Sequence, residues 1–144
     1  MHTRTVIKWM HGLLTIFLLI LVGGFIYLNH TSDSRSGDEL QHSYKINDRL
    51  WLYTTINREG NATVPIIYRF YLAGEIIGNN KVIIKKLNDE IPFLTGNGSI
   101  SSINTTDNEN INVVYSGKIY SLNNTISYSI DNHQVNAHIS FCIN

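Results

Sequence analysis

From Gly12 to Leu28 the chain reads GLLTIFLLILVGGFIYL, a run of 17 residues without a charge. Coiled as an α-helix at 1.5 Å per residue, the run covers roughly 26 Å, and Trp9 to His11 extend it to about 30 Å, the thickness of a bilayer's hydrocarbon core. This one segment divides the chain into an anchor and a remainder. Trp9 and Tyr27 stand at its two ends, where amphipathic rings favour the headgroup layer, and they are the expected membrane-interface residues. Arg4 and Lys8 precede the run with no acid among them, whereas Arg35 and Lys45 are outweighed after it by Asp33, Asp38, Glu39 and Asp48. The positive-inside rule therefore puts residues 1–11 in the cytoplasm, a transmembrane helix over 12–28, and the bulk of the chain outside. A cleavable signal peptide competes with this reading, with Leu13 to Val22 as its apolar region and Val22-Gly23-Gly24 as the cutting site. Phe25-Ile26-Tyr27-Leu28 favours the anchor, because a mature chain beginning there would expose a greasy end to no purpose.

The remainder is polar and rich in Asn, Ser, Thr, Ile and Tyr. Residues 29–42 show no apolar period and read as a tether, leaving 43–144 as the outer domain. There the period becomes two, the mark of strands with one face buried. Leu50, Leu52 and Ile56 share a face, with Trp51 and Tyr53 on the other. Val64 to Leu72 alternates Ile66, Tyr68, Phe70 and Leu72 against Ile67, Arg69 and Tyr71, after a turn at Glu59-Gly60-Asn61. Lys81 to Leu87 lacks clean alternation and is ambiguous between strand and helix. Ser99 to Asn104, Ile111 to Leu122 (broken at Ser116-Gly117), Thr125 to Ile130 and Val135 to Ile143 complete the set. In the last, Val135, Ala137, Ile139, Phe141 and Ile143 alternate strictly, and Asp131 to His133 turns the chain into it. The expected fold is mainly β: an antiparallel meander of about seven or eight strands, as a sandwich or a partly open barrel.

Chemistry is sparse. Eleven basic and eleven acidic residues balance, so no global field argues for direct nucleic-acid binding. The one cysteine, Cys142, excludes an internal disulfide, a CxxC site and a cysteine zinc cluster. It reads as a small packed residue, with an intermolecular disulfide as the other possibility. Six histidines (His2, His11, His30, His42, His133, His138) pair with no carboxylate or thiol at ligand spacing, so no metal is expected. Asp107-Asn108-Glu109-Asn110 resembles a calcium loop in composition only and reads as a solvated hairpin tip. No nucleophile with a base, phosphate loop or dinucleotide fingerprint occurs, so neither enzyme activity nor a cofactor is expected. Sequons at Asn29, Asn61, Asn97, Asn104 and Asn123 would matter only in a glycosylating host.

The anchor from Trp9 to Leu28, the strand Tyr68-Arg-Phe-Tyr-Leu-Ala-Gly74, and Ser116-Gly-Lys-Ile-Tyr120 leading into Ile126-Ser-Tyr-Ser-Ile130 together resemble the FidL-like membrane proteins of enteric bacteria. The resemblance covers most of the chain and carries no catalytic residues. It implies an uncleaved inner-membrane anchor with a periplasmic domain. It also implies an accessory role like that of ToxS, in which that domain binds and tunes a membrane-bound winged-helix activator. The short cytoplasmic segment leaves any effect on transcription to such a partner. The alternatives are an immunity protein against a toxin acting on that side of the membrane, or a binding module for a small apolar ligand. If the helix is retained, the membrane-extracted protein has the mass of the full chain. A mature N-terminus near Gly24 or Phe25 would overturn the anchor.

Overall fold

The computed structural model describes residues 2–30, 35–59 and 65–144. These form two compact units, residues 1–34 and 35–144. In the first, helix α1 runs from His2 to His30, longer at both ends than the uncharged run. Its stretch Thr5–Leu28 is long and apolar enough to cross a membrane, and its apolar side chains are bare of protein contacts that would bury them. Trp9 and Tyr27 lie eighteen residues apart on it, about 27 Å at the helical rise.

The second unit is mainly β: β1 (Asp38–Lys45), β2 (Trp51–Asn57), β3 (Ile67–Ala73), helix α2 (Asn80–Leu87), β4 (Leu94–Gly96), β5 (Ser99–Thr105), β6 (Asn110–Ser116), β7 (Ile119–Leu122), β8 (Thr125–Ile130) and β9 (His133–Ile143). One sheet has the order β1-β2-β3-β4-β7 and the other β5-β6-β9-β8. They face each other as a sandwich. Leu50, Leu52, Phe70, Leu72 and Leu94 of the first meet Ile111, Val113, Tyr115, Ile126, Tyr128, Ile130, Ala137 and Ile139 of the second, with Phe93 among them. Thus the faces read from the alternation are those observed.

The two sheets share one long bent hairpin. β4 continues into β5 and β6 into β7, so each arm crosses from one sheet to the other. The crossing is made of glycine. A Cβ on Gly98 would sit 1.9 Å from the Ser116 carbonyl oxygen, and Gly117 holds φ +132°, open only to glycine. Tyr115 pins the corner, its hydroxyl accepting from Gly98 N at 2.7 Å and donating to the Lys118 carbonyl at 3.2 Å. Burial raises its pKa above the ordinary phenol value. Tyr128, whose hydroxyl donates to the Asn108 carbonyl, is pushed up to about 12, chiefly by burial and then by Glu109 and Asp107.

Several expectations need correcting. The tether over 29–42 ends early, because β1 already pairs from Asp38 with Asn57. β1 is an exposed edge strand held by backbone bonds, so it carries no apolar alternation to read. Lys81–Leu87 lies in helix α2. The Asn79 side chain caps it by accepting from Val82 N at 3.1 Å, and Ile83 and Leu87, four apart, bury one face. That face packs on Tyr53, Tyr71 and Ala73, so β2 and β3 are covered on both sides. The meander also fails at one point, since β6 and β9 pair in parallel. With β7 drawn into the other sheet, the place beside β6 is open, and the β8–β9 hairpin fills it through the turn at Asp131 and Asn132, both at positive φ. The edge strand β1 and the short β4 raise the strand number to nine among the described residues. Gly60 to Val64, with most of the expected turn at 59–61 and the first residue of the Val64–Leu72 strand, lie outside the described residues. Ile143 is exposed, so the last strand buries fewer of its five alternating residues than expected, and Cys142 is exposed rather than packed.

On the outer face of the first sheet lies a buried ion pair. Arg69 Nη1 stands 2.6 Å from Asp38 Oδ1, with the two side chains 4% and 1% exposed. Asp38 also accepts from Asn57 Nδ2 at 2.8 Å and from Thr55 Oγ1 at 3.2 Å. Removing one partner of such a pair leaves a buried charge uncompensated. Arg69→Met alone is therefore expected to destabilise the chain by about 3–5 kcal/mol, while Arg69→Met with Asp38→Leu recovers most of the loss. Denaturant unfolding of the detergent-solubilised chain measures both.

Candidate functional site

The sandwich is closed by the bent hairpin and by the approach of β3 to β8, where Gly74 N donates to the Ser129 carbonyl at 3.1 Å. Between β1 and β5 the sheets stay apart, leaving an open cleft of about 750 Å³. Gln41, His42 and Tyr44 of β1 form one lip. Leu52, Thr54, Tyr68 and Phe70 make the floor, and Asn97 to Asn104 the other lip.

Two bulges build it. On β1, Leu40 lies opposite Thr55 but His42 lies opposite Thr54, so Gln41 is an extra residue. The bulge reverses the face taken by even-numbered residues. Asp38 and Leu40 join the outer face, with Arg69 and the α2 cluster, while His42 and Tyr44 turn into the cleft. On β5, Ile100 opposes Tyr115 and Ile103 opposes Val113, with Ser101 extra. Ile100 and Ile103, three apart in sequence, thereby both pack on the core. Phe70 is fixed by an edge contact to Tyr115, ring centroids 6.0 Å apart at 81°.

The lining is aromatic and aliphatic, interspersed with hydroxyls and amides. Among the described lining residues none is Asp, Glu, Lys or Arg, and one is a histidine, His42. Such a surface can hold an uncharged, amphipathic chain but supplies no acid–base pair. Its lips are also sheet edges. Among the described residues β1 pairs only with β2 and β5 only with β6. Phe93, Tyr115 and Tyr128 are almost wholly buried between the sheets.

Other residues singled out in the sequence fall elsewhere. Trp9 and Tyr27 are exposed on α1, and His133 and His138 are exposed on β9. Among the described residues no three His, Cys, Asp or Glu come together as a metal site. The Asp107 carboxylate is tied into its own loop, accepting from Glu109 N, Asn110 N and Asn110 Nδ2. Those bonds, the Asn110 side chain first, lower its pKa. Of the sequon asparagines, Asn97 accepts from Lys118 N at the hairpin bend, Asn104 lies on the β5 lip, and Asn123 donates to the Pro92 carbonyl. Asn29 is in the last turn of α1, and Asn61 lies outside the described residues. The cleft was not foreseen. Its one sequence signal was the off-period spacing of Ile100 and Ile103, which a strand accommodates only through a bulge.

No protein-family model matches the chain, and neither a curated protein nor a solved structure is similar enough to match. Fold and site define a small β-sandwich with an uncharged, edge-flanked cleft, in a chain that also carries a membrane-length helix.

Deleting Ser101 straightens β5 and leaves Ile100 and Ile103 two apart on one face of a regular strand, so both stay on the core and the cooperative unfolding transition is retained. Ile103→Ser, by contrast, is expected to destabilise the chain, by less than the roughly 1.5–3 kcal/mol of a fully buried isoleucine because Ile103 is half-buried; denaturant unfolding measures both.

Proposed function

We propose that the chain is a single-pass inner-membrane protein, N-terminus in the cytoplasm and sandwich in the periplasm, whose cleft receives an extended segment of a membrane-bound partner. The role is an accessory one, and the partner is a membrane-bound transcriptional activator with its own extracytoplasmic part, as the FidL-like resemblance implies. The observation that carries the reading is the pair of strand edges, unpartnered among the described residues, that flank an uncharged cleft. A sheet edge offers backbone donors and acceptors to an added strand, while pockets beside it select alternate side chains. Tyr44, exposed on the lip, is suited to anchor such a strand, as aromatic residues are at interfaces. Both edges are bulged at the lip, which discourages indiscriminate edge-to-edge pairing. The basic residues before the helix support the orientation.

Photo-crosslinking in intact cells tests the proposal, with the reactive residue placed at Tyr44, at Asn104, or at Ser140 on the outer face of the other sheet. Adducts to one extended segment of a second membrane-anchored protein are expected from Tyr44 and Asn104 and not from Ser140. Tyr44→Ala should weaken the Asn104 adduct by about tenfold, the loss of one interface anchor. Adducts from Ser140 alone, or only between copies of this chain, would overturn the reading.

A further inference from the structure

Helix α2 presents a second surface, on the opposite side of the first sheet from the cleft. Ile83 and Leu87 are buried against that sheet, which leaves Lys81, Val82, Lys85 and Lys86 together on the outward face. Val82 is 40% exposed, and Ile77, in the turn before the helix, is 83% exposed. That turn lies over Val82, because a Cβ on Gly78 would meet the Val82 Cβ at 2.8 Å. Beyond the C-terminal end of the helix Ile91 is 66% exposed. Glu75, Asp89 and Glu90 flank the helix, but every charge on its outward face is a lysine.

The chain enters the domain at this corner. Arg35 Nη1 donates to the carbonyls of Glu90 at 2.9 Å and Asn88 at 3.2 Å, just past the end of α2. Arg35 follows Leu28, where the apolar run ends, by seven residue steps. Fully extended, they span at most about 25 Å. Connectivity alone thus keeps this corner close to any bilayer that holds the run.

We propose that α2 and its flanking turns dock on the anionic phospholipid surface of the bilayer in which α1 is anchored. Lys81, Lys85 and Lys86 lie at headgroup level, and Ile77 and Ile91 enter the boundary with the acyl chains. Lysines over apolar side chains are the composition of an interfacial helix, with the ammonium groups on anionic headgroups and the stems lying along the surface. Each lysine near such a surface contributes roughly a fivefold factor to partitioning, so the three together give on the order of 100-fold. Docking here leaves the cleft on the face of the sheet turned away from the lipid. The proposal rests on the anchor and is independent of what the cleft binds.

The full chain in nanodiscs tests it, with a single spin label placed by Ile77→Cys, Ile91→Cys or Ser140→Cys, each in a Cys142→Ser background. In discs one-third phosphatidylglycerol, the labels at 77 and 91 are expected to collide several-fold more with oxygen than with a water-soluble nickel chelate, and the label at 140 to remain aqueous. Lys81→Gln, Lys85→Gln and Lys86→Gln combined should return both labels to water, as should discs of phosphatidylcholine alone. Circular dichroism confirms that each variant is folded. Labels at 77 and 91 as aqueous as that at 140 in the anionic discs would overturn the proposal. So would insertion that survives the triple substitution, or dipolar coupling showing a second copy seated on α2.

Discussion

The β domain is organised around a charge that cannot reach water. Arg69 points from the middle of β3 into a face covered by α2, and a guanidinium there is tolerated only with a carboxylate against it. Asp38 provides that carboxylate from the first residue of β1, and Thr55 and Asn57 occupy its remaining acceptor capacity. This sets where the domain begins and the register of its edge strand. It also places the entering chain beside α2, where Arg35 is tied to Asn88 and Glu90. Well-packed apolar residues could be as stable; the ion pair's distinctive contribution is to make one alignment of β1 far better than its neighbours.

Given that alignment, the bulge at Gln41 becomes decisive. A regular β1 with Asp38 facing outward would turn His42 and Tyr44 outward as well. The extra residue lets one strand close the ion pair at its start and line the cleft at its end. Ser101 does the same for β5, bringing two isoleucines onto the core from positions a regular strand would split between faces. Bulges concentrate at sheet edges and beside functional surfaces, and here they define both lips of the proposed binding cleft.

The first sheet therefore has two faces with different chemistry. One meets the second sheet and opens into an uncharged cleft, while the other carries the ion pair and a helix whose outer side is basic. A domain that lies on lipid through one face and meets a partner through the other is a coherent reading of that asymmetry. It joins the two proposals without making either depend on the other.

Much of this was legible in the sequence. The uncharged run specified a membrane-length helix, because nothing but length and apolarity is needed to read one. The central and late strands were legible from period-two alternation, since each turns one set of alternating residues toward the shared core. The break at Ser116-Gly117 and the turn at Asp131 to His133 were legible from turn chemistry. What escaped was whatever long-range pairing settles. β1 has no apolar period because its partners are a backbone edge and a buried arginine thirty-one residues away. Lys81–Leu87 became a helix once Asn79 capped it and the covered faces of β2 and β3 needed a lid. The parallel pairing of β6 with β9 followed from β7 bending into the other sheet. The cleft exists because two edges do not meet. Local sequence carries the period of a strand and the chemistry of its turns, but the neighbour of an edge is chosen by the packing of the whole domain, and only the tertiary structure records that choice.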